Sequence, residues 1–308
     1  MELDPQAQRF LAMLSTMKRP DFRDSVEAAR SFGHDDLDWG GPVPDGVTIQ
    51  HRFITTPTAD VPVRIYTPQT PGPYGGHVYF HGGGWVLNHI DRYDAELSEI
   101  ALKTNSIVVS VNYQKSPEHK FPVPHDDCFA TLMWLIDHHE VLHVDRNRIG
   151  ISGDSAGGNL AAGIALRARD NNIDLAFQVL IYPAVTLNFN SESYVKNAEG
   201  YGLTSVGMQW LWEQYVNEND KNNPYAVPGV AKDFSNLAPA IVVTAEYDVL
   251  RDDGIFYAEL LRKAGNQVEH RDFGGQIHGL WTYAKFIDTG FEMRSWIIDQ
   301  ITSIISQD

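Results

Sequence analysis

The hydrophobic pattern changes texture near residue 47. Before that point, residues 8–17 carry apolar positions at helical spacing, and residues 25–30 suggest another short helix. Gly40-Gly41-Pro42 and Pro44-Asp45-Gly46 then punctuate the chain. Beyond them, residues 47–49 and 61–66 read as paired strands around a turn at Thr58-Ala59-Asp60. From there strand, loop and helix repeat. Strands are predicted at 77–80, 106–111, 148–152, 177–181, 240–244 and 268–271. Helices are predicted at 126–138, 159–169, 254–264 and 291–305. The run 106–111 is uncharged and mostly apolar, as expected of a strand covered on both faces. This alternation predicts an α/β chain with a mostly parallel central sheet flanked by helices.

One block breaks the rhythm. Residues 187–228 lack strand texture and carry Trp210, Trp212 and Tyr215, with Thr204-Ser205 placed to cap a helix running to about Val216. This reads as an insertion between two sheet strands. The expected organisation is a catalytic domain of residues 41–186 and 229–308, with a helical cap built from residues 1–40 and 187–228. Phe10, Met13, Met17, Phe32, Trp210, Leu211 and Trp212 give both cap segments their apolar character.

Composition narrows the chemistry. Of 308 residues, 43% are hydrophobic and 11% aromatic, enough to fill a large core and line a pocket. With 24 Lys plus Arg against 40 Asp plus Glu, the formal net charge is −16, which repels phosphate backbones and anionic membranes. No nucleic-acid or membrane partner is expected. The single cysteine, Cys128, can form neither an internal disulfide nor a CxxC metal site, and it reads as a small buried filler on a helix. The acidic N-terminus lacks a signal-peptide core, and no stretch approaches the roughly 20 apolar residues of a membrane helix. The expected address is cytoplasmic.

Gly153-Asp154-Ser155-Ala156-Gly157 follows a predicted strand and opens a predicted helix, which is the context a nucleophile elbow requires. A tight strand-to-helix turn crowds the backbone around the serine, so its neighbours must lack side chains. The helix N-terminus behind Ser155 favours negative charge. His81-Gly82-Gly83-Gly84-Trp85 follows another strand. Attack on an ester carbonyl creates an oxyanion that needs fixed donors, and bare glycine backbone can turn its amides toward it. The predicted donors are the amides of Gly83, Gly84 and Ala156. Neither a G-x-G-x-x-G nor a G-x-x-x-x-G-K-[ST] run is present at this loop, so a nucleotide-binding reading fails.

With these motifs the sequence resembles the hormone-sensitive-lipase family of α/β-hydrolase esterases, particularly its microbial carboxylesterases. The similarity spans about residues 47–290. It includes Pro117-Glu118-His119, Phe121-Pro122, Glu246-Tyr247-Asp248 with Leu250-Arg251-Asp252, and Ile277-His278-Gly279. Two departures bear on substrate preference. Val249 stands where the family commonly has proline, and Gln114-Lys115-Ser116-Pro117 replaces an R-L-A-P stretch.

The residues argue beside the resemblance. In an α/β-hydrolase the order is serine, acid, histidine. Asp248 follows the strand 240–244 at the edge expected to hold the elbow. Glu246, Asp252 and Asp253 compete for the role, although Asp252 and Asp253 open the next helix and can serve as its caps. His278 follows the last strand in a glycine-rich, flexible stretch, Gly274 to Gly279, whereas His270 lies inside that strand. The expected triad is therefore Ser155, His278 and Asp248. It needs no metal or cofactor, and none is expected.

The expected function is hydrolysis of short- to medium-chain acyl esters through an acyl-enzyme, with a small-molecule ester as the only required partner. An amidase or deacetylase using the same triad stays open. A ligand-binding homologue is disfavoured by the intact His278. The final strand, if it ends the sheet, would let two copies pair into a homodimer, unless Glu269 and Arg271 guard that edge.

Overall fold

Eight strands form one sheet in the computed structural model, which describes residues 1–18, 20–32 and 38–306. The side chain of Phe32, expected in the cap, lies outside the described residues. Two helices, α1 (Pro5–Thr16) and α2 (Val26–Phe32), precede the hairpin strands β1 (Val47–Thr55) and β2 (Asp60–Pro68). There follow β3 (Tyr74–Phe80), α3 (Asp94–Thr104), β4 (Ser106–Val111), α4 (Val123–Asp137), β5 (Val144–Asp154), α5 (Ala156–Asp170) and β6 (Gln178–Ile181). The insertion carries α6 (Glu192–Lys196) and α7 (Ser205–Tyr215). The chain closes with β7 (Ala240–Tyr247), α8 (Arg251–Lys263), β8 (Val268–Ile277) and α9 (Thr289–Ile305).

The strand order is β1-β2-β4-β3-β5-β6-β7-β8. β1 and β2 pair antiparallel, as do β2 and β4, and every other pairing is parallel. The α/β-hydrolase architecture expected from the alternating pattern is therefore the one observed. Period-two side chains divide the core in two. Val78, Phe80, Val109 and Val242 face the layer containing Leu132 of α4, Leu160 of α5 and Tyr257 of α8. Tyr79, Val108, Ile241 and Val243 face Phe10 of α1, Leu97 of α3 and Ile297 of α9. Because both faces are covered, all six residues of β4 are buried, which explains its apolar run.

Several boundaries differ from the sequence-based expectation, each for a local reason. α1 starts at Pro5 because the Asp4 carboxylate accepts from the amides of Gln6 and Ala7 at 2.7 and 3.2 Å, a cap followed by proline at the first helical position. The N-terminal segment is also more than a cap. Phe10 is buried against Trp39, Tyr283 and Phe286 in the core. β8 runs on to Ile277, so Gly274 to Ile277 is strand rather than a flexible loop, and Ile277 pairs with Tyr247. α3 was not anticipated. It is short and carries buried Glu96, a residue type that hides a core-facing position.

That glutamate is explained by α9. Arg294 donates to Glu96 at 2.8 Å, both side chains being almost wholly buried, and it also reaches the carbonyl oxygen of Trp281. Removing one partner strands a buried charge, whereas removing both does not. Arg294→Met alone should lower unfolding free energy by about 3–5 kcal/mol. The pair Glu96→Leu with Arg294→Met should cost much less. Urea denaturation of the two variants checks this.

Candidate active site

Parallel pairing brings the C-terminal ends of β3, β5, β7 and β8 to one edge of the sheet, and each expected site residue follows one of them. Ser155 joins β5 to α5 with φ 55° and ψ −118°, a strained backbone for a residue with a Cβ. Its amide donates to the Ile181 carbonyl at 2.8 Å and its carbonyl accepts from Asn159 at 3.0 Å, so the turn is fixed from both sides. Gly157 is required sterically. A Cβ there would lie 1.9 Å from the carbonyl oxygen of Phe80.

His278 follows β8 directly. Its Nε2 lies 3.0 Å from Ser155 Oγ, and its Nδ1 lies 2.7 Å from Asp248 Oδ2. The three expected residues thus form one hydrogen-bonded chain. The Asp248 side chain is fully buried after β7, and its other oxygen accepts from the Leu250 amide at 3.0 Å. The ring of Tyr182 packs against the imidazole with centroids 4.6 Å apart.

The competing acids are engaged elsewhere. Glu246 accepts from the Met1 ammonium at 2.5 Å and the Gly275 amide at 2.7 Å. Asp252 accepts from the Ser193 amide at 2.8 Å. Asp253 accepts from the amides of Val185 and Thr186 and from the Thr186 hydroxyl, and burial pushes its carboxyl up to about 7. Asp252 therefore binds the insertion, Asp253 binds the segment just before it, and neither caps α8, a correction to the sequence reading. His270 sits within β8 beside Thr244, its imidazole made less basic by burial.

The glycine loop lies across from the serine. Gly83 adopts φ 112°, a conformation that disfavours any side chain. Gly83 and Gly84 line the same cavity as Ser155 and His278. Ala156 opens α5. Among the described residues, the amides of Gly83, Gly84 and Ala156 donate to no protein acceptor. The Gly82 amide, by contrast, is committed to Asp154 Oδ1 at 2.7 Å.

The cavity measures about 680 Å³. Its apolar wall combines Leu14 and Phe22 with Leu203, Met208 and Leu211 of the insertion. Trp212 is not in that wall. It packs with Tyr215 on Trp85 of the glycine loop, at 4.5 and 4.3 Å between centroids, and clamps α7 to the core. Trp210 packs against Phe22 with centroids 5.4 Å apart and rings tilted, and ties the two outer segments together. Arg30 of α2 donates to the Val86 and Ser116 carbonyls and pairs with Glu118. A second cleft of about 720 Å³ lies at the opposite end of β6 and β7, around Arg169 and Asn236, away from all these groups.

A profile of the α/β hydrolase fold matches residues 77–282. The chain belongs to the hormone-sensitive-lipase family of α/β-hydrolases. This hydrolase is 37% identical over 257 residues to the esterase LipI of Mycobacterium tuberculosis, covering 82% of this chain and 80% of that one. It is 36% identical over 281 residues to an arylesterase of Saccharolobus solfataricus, covering 90% and 92%. The solved structure of a hyperthermophilic esterase from the archaeon Pyrobaculum calidifontis superposes with a TM-score of 0.91 at 35% identity, covering 99% of each chain.

One residue of the hydrolase site escaped the sequence reading although it sits inside the elbow motif. Asp154 is buried, and its Oδ1 accepts from the Tyr79 hydroxyl at 2.6 Å as well as from Gly82. Burial raises its carboxyl above the ordinary value, while the Tyr79 and Gly82 hydrogen bonds pull it back. Asp154 thereby fastens the glycine loop to the elbow. Its place between Gly153 and Ser155 was the only available signal. Asp154→Ala takes the acceptor from the Tyr79 hydroxyl and leaves the Gly82 amide only its longer bond to the Tyr93 hydroxyl at 3.1 Å, a loss of about 1–3 kcal/mol. Asp154→Asn keeps one acceptor oxygen and should lose less. Thermal unfolding of both variants, with turnover measured in parallel, should rank them Ala below Asn below wild type.

Proposed function

We propose that this carboxylic ester hydrolase is a serine esterase acting on short- to medium-chain acyl esters through an acyl-enzyme. The observation that carries the reading is the hydrogen-bonded chain Ser155–His278–Asp248 opening onto an apolar cavity beside unengaged glycine amides. His278 Nε2 takes the Ser155 proton as Oγ attacks the ester carbonyl, while Asp248 holds the Nδ1–H tautomer and stabilises the imidazolium. The amides of Gly83, Gly84 and Ala156 bind the resulting oxyanion, helped by the N-terminal dipole of α5. His278 then protonates the leaving alcohol. Water, deprotonated by the same nitrogen, releases the acid and restores Ser155.

Outer segments 1–40 and 187–228 serve as the cap over this site, with part of α1 doubling as core. Their apolar wall rewards each added acyl methylene by about 0.8 kcal/mol until the cavity is full, after which longer chains lose. A series of nitrophenyl esters should therefore peak between roughly four and eight carbons. A sixteen-carbon ester turned over faster than a six-carbon one would overturn this preference.

Ser155→Ala should reduce ester turnover by several powers of ten in a protein that still folds. Asp248→Asn should fall by about 10⁴, because asparagine favours the wrong imidazole tautomer, whereas Asp252→Asn should fall far less. Equal losses at 248 and 252 would move the acid away from Asp248. We also propose that two copies pair at the free edge of β8. β8 ends the sheet, and Arg271 there pairs with Glu292 and lies over Phe273. Light scattering giving twice the chain mass would support pairing at this edge.

A further inference from the structure

Asp248 stands in the turn between β7 and α8, and a carboxylate that orients an imidazole is only as well placed as that turn. The turn is held from outside its own strand. Asn197, at the C-terminal end of α6, donates one amide group to two of its carbonyls, Glu246 at 3.1 Å and Asp248 at 3.0 Å. Ser193, at the other end of α6, donates its hydroxyl to the Val249 carbonyl at 2.7 Å and accepts from the Asp252 amide at 3.2 Å. Its backbone amide returns to the Asp252 carboxylate at 2.8 Å. Both side chains are buried, and the Asn197 backbone N–H donates to the Ser193 carbonyl at 2.9 Å, which locks the two into one unit.

Neither residue lines the cavity, so neither is placed to touch an ester. Every hydrogen bond that their side chains send out of the insertion ends on the stretch from Glu246 to Asp252. We propose that Asn197 and Ser193 are positioning residues for the proposed acid, so that the insertion sets the geometry of the triad as well as covering the cavity. This rests on the reading of Asp248 as the triad acid. The insertion is then coupled to the rate of the chemical step as well as to substrate binding. Substitutions of the cavity wall act on KM and chain length, while substitutions of this clamp act on kcat.

The test is a double-mutant cycle between residues 197 and 248, read with one activated nitrophenyl ester. Asn197→Ala should lower kcat roughly tenfold to a hundredfold with KM nearly unchanged, because the acid is displaced while the wall is intact. In the Asp248→Asn background the same substitution should change the residual rate less than about twofold, since there is no carboxylate left to position. Losses that multiply in the double variant, or a rise in KM with kcat unchanged, would overturn the proposal. If Asp248→Asn alone left turnover intact, the triad reading would fail instead, which separates the two failures. Should Asn197→Ala not fold, Ser193→Ala carries the same cycle, since it removes the bond to Val249 while the backbone bond to Asp252 persists.

Discussion

Everything at the site is referred to the backbone of Ser155, which is held at positive φ between β5 and α5. Such a conformation costs about 1–3 kcal/mol and persists only where its surroundings over-determine it. Here the neighbouring strand β6 supplies the acceptor for its amide, α5 supplies the donor to its carbonyl, and the Phe80 carbonyl lies so close to Gly157 that the turn has no room to relax. The strained turn therefore needs the parallel β3–β5–β6 core beneath it. In return it lifts the serine hydroxyl clear of the sheet, toward the imidazole that follows β8.

Buried carboxylates do most of the remaining positioning, and their partners separate their roles. Asp154 faces a tyrosine hydroxyl and a glycine amide and fixes the loop of proposed oxyanion donors. Asp248 faces an imidazole and a backbone amide. Asp253, one helical step on from Asp252, receives three donors from Val185 and Thr186, just before the insertion. A buried carboxylate is expensive without hydrogen bonds, so each marks a place where two chain segments must meet. The net charge of −16 says nothing of this, because the acids that matter most are the ones removed from water.

Much of this architecture was legible in the sequence for a physical reason. Strands covered on both faces carry no charge and few polar groups, and a nucleophile elbow must carry small residues at fixed offsets, so β4 and the stretch from Gly153 to Gly157 declared themselves. Order along the chain then narrowed the acid to Asp248 and its neighbours Glu246, Asp252 and Asp253 and favoured His278 over His270, and the structure brings Asp248 and His278 into hydrogen-bond contact. What stayed hidden depends on contacts between distant segments. Nothing local shows that Asp252 and Asp253 bind residues about 60 positions earlier, that Glu96 meets Arg294, or that Trp212 packs on Trp85 rather than lining the cavity. The continuation of β8 through Gly274 and Gly275 was missed because glycine usually ends a strand, whereas here Ile277 resumes the pairing with Tyr247.

In the proposed mechanism Ser155 becomes covalently acylated during turnover. Rapid mixing with a nitrophenyl ester, acid quenching and peptide mass mapping test it most directly. The expected result is a burst of about one nitrophenol per chain and the acyl mass on the peptide at Ser155 alone. A burst with the acyl group on another side chain, or steady turnover with Ser155 never modified, would contradict it.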